Sequence, residues 1–116
     1  MKTLKKWMIL IIALPLFVSA QNEVCFEIGS NPNPLDPALN SFSKYVNVLD
    51  CFHIYAEPSI SDAKVLHAAS VAAELLDNNE DGIVDDPLLE AELQSAEAMM
   101  PLFSSEWSPA MDDVWD

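Results

Sequence analysis

Between Tyr45 and Glu57 (YVNVLDCFHIYAE) the apolar residues Val46, Val48, Phe52, Ile54 and Ala56 all fall on even positions, with Asp50 as the single interruption. A two-residue period predicts one strand, its even face buried and its odd face, which carries His53 and Tyr55, turned outward. After Pro58 the period lengthens. Val65, Leu66, Ala69, Ala72, Ala73 and Leu76 then share one side of a helix, with Ser61 as its N-cap and Asp62 in its first turn. A second helical phase opens at Pro87, a residue favoured at a first helical position, and places Leu89, Leu93, Ala96 and Met100 on one face until Pro101 stops it. Beyond it, Phe103, Trp107, Met111 and Trp115 continue an apolar spacing that Pro109 breaks.

The two ends of the chain read differently from this middle. Lys2, Lys5 and Lys6 precede an uncharged run from Trp7 to Val18, and Val18-Ser19-Ala20 follows with small residues. This is the layout of a secretory signal peptide over residues 1–20, too short in its apolar part to cross a bilayer. Residues 21–44 hold Pro32, Pro34 and Pro37 and predict an extended, turning arm. Residues 45–116 then form one small domain.

Cleavage after Ala20 leaves 96 of the 116 residues, enough for a modest core. Two lysines then face nineteen acids, a formal charge of −17 with no arginine. Such a surface repels nucleic acid and anionic membranes and suits cations. The only cysteines, Cys25 and Cys51, form an even pair in an oxidising compartment, secreted or periplasmic, and predict a disulfide.

The charge is densest in LLDNNEDGIVDDPLLEAEL, where Asp77, Glu80, Asp81, Asp85 and Asp86 stand within ten residues. Two such charges about 5 Å apart repel by roughly 0.8 kcal/mol even at water's dielectric constant. A divalent cation reverses that penalty. Counted from Asp77, oxygen-bearing positions alternate: Asp77, Asn79, Asp81, the carbonyl of Ile83, and Asp85, with Gly82 where the turn needs a conformation that side chains resist. Calcium takes six to eight hard oxygen ligands, and alternate residues of a tightly wound loop point inward to supply them.

This stretch resembles the EF-hand calcium loop and the related loops of dockerin-like modules. The resemblance implies a Ca2+ ligand set of Asp77, Asn79, Asp81, Ile83, Asp85 and Asp86, held between two helices. It departs from the pattern at Leu88, where the family carries a bidentate Glu. With Pro87 at the first helical position Asp86 becomes the N-cap, so the bidentate role passes to Asp86 or, further along the helix, to Glu90. The longer run AKVLHAASVAAELLDNNEDGIVDDPLL is similar to the amino-terminal part of uncharacterised exported bacterial proteins, which implies that the chain continues in longer relatives.

No catalytic constellation accompanies the loop. His53 and His67 are isolated, and neither a G-x-S-x-G nucleophile turn, an H-E-x-x-H pair nor a phosphate-cradling glycine loop is present. The reading is a mainly α fold with a short β element (α+β), in which a strand and a proline-rich arm precede a helix–calcium loop–helix. Its function is that of a secreted calcium-binding domain with a structural or adhesive role. The alternatives are the amino-terminal portion of a secreted metal-dependent hydrolase and a metal-free exported structural domain. The aromatic tail marks a protein partner or a further carboxy-terminal region.

Overall fold

The computed structural model describes residues 26–115. Within them, the even-numbered apolar positions of 45–57 do face a core, but on two strands instead of one: β2 (Lys44–Val48) and β3 (Phe52–Ala56). They pair antiparallel with Val46 opposite Ile54 and Val48 opposite Phe52. Leu49 and Asp50, at φ 52° and 58°, make the left-handed turn between them. The Cys51 N–H donates to the Val48 carbonyl (3.2 Å), and Asn47 and Asp50 exchange side-chain hydrogen bonds across the turn. Because even residues pair with even residues, the two-residue period passes through the turn unbroken.

Four strands make one sheet in chain order. The short β1 (Gly29–Ser30) runs antiparallel to β2, and β4 (Met99–Leu102) runs parallel to β3 at the opposite edge. A parallel neighbour requires a crossover, and the crossover here is α1 (Asp62–Leu76), the acidic loop and α2 (Pro87–Ser95).

The expected mainly α helix–loop–helix is therefore corrected. The architecture is α+β around a four-stranded mixed sheet, with α3 (Pro109–Trp115) as a third short helix among the described residues. The second helical phase stops at Ser95, and Met99 and Met100, expected in that helix, belong with Pro101 and Leu102 to strand β4. Glu97 at φ 51° breaks the helix, and the Ala98 N–H reaches back to the Leu93 carbonyl. Pro101, which donates no backbone hydrogen bond, is accommodated because β4 is an edge strand.

Both faces of the sheet are covered. On the even face Val46, Val48, Ile54 and Ala56 pack against Val65, Ala69 and Ala73 of α1. The three α1 residues recur every four positions, and their small or branched side chains let the helix lie close to the sheet. Burying each of Val46, Val48, Ile54 and Val65 contributes about 1.5–3 kcal/mol. The odd face, expected outward, holds a second cluster: Phe42, Tyr55 and Ala110, with Leu39, Tyr45, Met99, Phe103 and Val114 around them. The proline-rich arm and α3 cover this face. Asn31 fixes the arm by donating from its Nδ2 to the carbonyls of Leu39 (2.7 Å) and Phe42 (2.9 Å). His53 stacks on Tyr45 and shares a 2.6 Å hydrogen bond with its hydroxyl.

No helix among the described residues is long and apolar enough to cross a membrane. The expected signal peptide, residues 1–20, and Cys25 lie outside the described residues.

Candidate metal loop

The acidic loop begins where α1 ends. Asp77 is the C-cap of α1, its N–H closing on the Ala73 carbonyl, and only 3% of its surface is exposed. Its two carboxylate oxygens hold the loop from within. Oδ1 accepts from the Asp81 N–H (3.3 Å), and Oδ2 accepts from the Gly82 N–H (2.7 Å). Asn79 Oδ1 shares the Asp81 N–H at 3.3 Å, so Asp77, Asn79 and Asp81 meet at one donor. Asp81 Oδ1 in turn accepts from the Ile83 N–H (2.9 Å).

Two residues close the far side. The Asp85 N–H donates to the Leu76 carbonyl (2.9 Å), and Asp85 Oδ2 accepts from the Asn78 N–H (2.8 Å). The loop thus returns to the end of α1. Backbone at Glu80 (φ 58°) and Gly82 (φ 83°) is left-handed, which lets the chain wrap around the Asp77 carboxylate. Val84 is buried at 5% exposure and anchors the loop, while Ile83 points outward at 67%. Sequence reasoning missed Val84. Its signal was an apolar side chain next to Ile83 in an otherwise polar stretch, and the two could not both face the core.

The remaining expected ligands sit elsewhere. Asp86 is the N-cap of α2, as Pro87 at the first helical position requires, and its Oδ1 accepts from the N–H groups of Leu88 (3.0 Å) and Leu89 (3.3 Å). Glu90 stands near the β2–β3 turn, where its charge and that of Asp50 add to burial in pushing the Cys51 thiol pKa up. The helices flanking the loop do not pack as a pair. No residue of α2 is buried, and Leu88 and Leu89 are exposed.

Every donor the loop offers is a hard oxygen, and that chemistry matches calcium. The carboxylates, however, turn toward backbone N–H groups, and among the described residues no set of three or more His, Cys, Asp or Glu side chains is gathered as a metal site. Comparison of the chain with protein-family models, with curated proteins and with solved structures finds no match.

Proposed function

We propose that the protein is an exported calcium-binding domain in which the ion holds the α1–α2 crossover in place and supports a structural or adhesive role. The observation that carries the reading is the position of Asp77. Its carboxylate is buried at the C-terminal end of α1, where the helix dipole already presents negative charge, and the last turn of α1 contains no basic residue. Asp81 and Asp85 hydrogen-bond within the same loop and add charge of the same sign. A divalent cation offsets this repulsion. Asp77, Asn79, Asp81, the Ile83 carbonyl and Asp85 would hold it, with Asp86 kept for capping α2.

A second reading has its own support. The loop carboxylates are already satisfied by backbone donors, so the segment also works as a metal-free polar turn. Calorimetric titration of the mature protein with calcium decides between the two. Under the calcium reading, heat is released and the melting temperature rises above that of a chelator control, by the equivalent of about 2.7 kcal/mol at a hundredfold excess over Kd. Asp77→Asn abolishes that heat while keeping one acceptor for the loop N–H groups. Absence of both heat and thermal shift in the unmutated protein would leave the metal-free turn.

A further inference from the structure

Away from the acidic loop, a groove of about 540 Å³ runs between α1 and the segment that follows β4. Its size lies within the range of small-molecule sites. Ile60, Leu102 and Met111 give it apolar walls. Its two charged residues, Lys64 and Glu106, stand on different sides. Lys64 and His67, one helical turn apart on α1, line one side, and Glu106 lines the other.

The charges are unspent. The other described lysine, Lys44, is paired with Asp62 at 2.8 Å and donates to the Ile60 carbonyl, whereas Lys64 forms no ion pair among the described residues. Glu106 is likewise outside the ion pairs found there. The wall that carries Glu106 is fixed: Glu57 accepts from the Ser104 N–H and from Ser108 Oγ (2.6 Å) on either side of it. A positive side, an apolar body and a negative side complement a ligand of the same layout reversed.

We propose that this groove binds short apolar peptides with free termini, the peptide carboxylate against Lys64 and His67 and its ammonium against Glu106. The charge separation favours a peptide over a fatty acid, which has no group for Glu106. It also favours a peptide over a neutral apolar ligand, which would leave both charged sides unmatched. Screening confines the wider acidic field to roughly 8 Å at physiological salt, so the local pair of charges decides orientation.

The test uses the mature protein and the tripeptide Leu-Ala-Leu in three forms: free, N-acetylated and C-amidated. Binding is followed by resonance shifts of the Met111 methyl and the Lys64 and Glu106 amides. The free peptide is expected to saturate these shifts, and each blocked form to bind up to about fivefold less tightly, the upper end for an exposed ion pair. Lys64→Gln should weaken the free peptide but leave the C-amidated form unchanged, and Glu106→Gln should weaken the free peptide but leave the N-acetylated form unchanged. Both side chains are exposed, so these variants keep the fold. Saturable shifts that are equal for all three peptides, tighter binding by decanoate, or no saturation at all would each overturn the proposal. As a check on place, Ala68→Trp should fill the groove and remove the shifts.

Discussion

Gly82 carries a backbone constraint that no neighbour imposes. Its φ is 83°, yet a Cβ built there meets no atom within 4 Å. The whole cost of a side chain at this position is therefore conformational, and Gly82→Ala should lower stability by about 1–2 kcal/mol. Urea denaturation in chelator measures it; a change indistinguishable from zero would mean that the loop relaxes to negative φ. Asp77 differs, because there the side chain does the holding. Asp77→Ala leaves the Asp81 and Gly82 N–H groups without their carboxylate partner and should cost about 1–3 kcal/mol even without calcium. A loss appearing only when calcium is present would assign Asp77 to the ion alone. Both residues were legible in sequence, since glycine in a polar turn and an acid at a helix end each carry a local signature. The capping role of Asp86 was legible as well, from Pro87 at the first helical position; the surroundings of Glu90 were not, because they depend on which way α2 leaves the loop.

At the scale of elements, the α1 face was readable: of the positions expected on it, Val65, Ala69 and Ala73 are buried, and Leu66, Ala72 and Leu76 are half-buried at its margins. The hairpin was not, because its turn is Leu49–Asp50 and lacks the glycine or asparagine that usually marks left-handed backbone. Its even pairing also keeps the period intact. The helix that was expected to reach Met100 failed for a related reason: residues 96–100 fit a helical spacing, but the open edge of β3 offers Met99–Leu102 a full ladder. The least visible contact joins distant elements. Glu57, just past β3, accepts from Ser104 and Ser108, and Ser108 Oγ accepts from the Ala110 N–H at the start of α3. Burial alone would push the Glu57 carboxyl up; the hydrogen bonds from Ser108 and Ser104 outweigh it and hold the carboxyl below its ordinary value of 4.5. A depressed carboxyl contributes stability that is complete above the ordinary value and is lost as pH falls through the lowered one. Glu57→Gln should therefore flatten the fall of melting temperature below about pH 4.5. Parallel profiles for the two proteins would remove Glu57 from the acid transition.

For the whole molecule, the question is what secures the arm to the sheet. β1 contributes only two residues of pairing, so the arm depends on its side chains: Asn31, Leu39 and Phe42 on one face, Phe26 and Ile28 on the other. Phe26 and Phe52 both pack against the cluster beneath α1, and each is the sequence neighbour of a cysteine. Cys51 is fully buried, and Cys25 precedes the described residues. Burial, Glu90 and Asp50 all raise the Cys51 thiol pKa, which keeps a reduced thiol protonated and slow to react with stray reagents. A Cys25–Cys51 bond formed by an oxidant of the export compartment, with loss of both thiol hydrogens, would close a loop of about 26 residues and stabilise the fold by roughly 3 kcal/mol. The expected result is an intact mass two hydrogens lighter before reduction than after it, with a matching drop in melting temperature on reduction. Full alkylation of both cysteines in the unfolded, unreduced protein would show instead that the arm is held by packing alone.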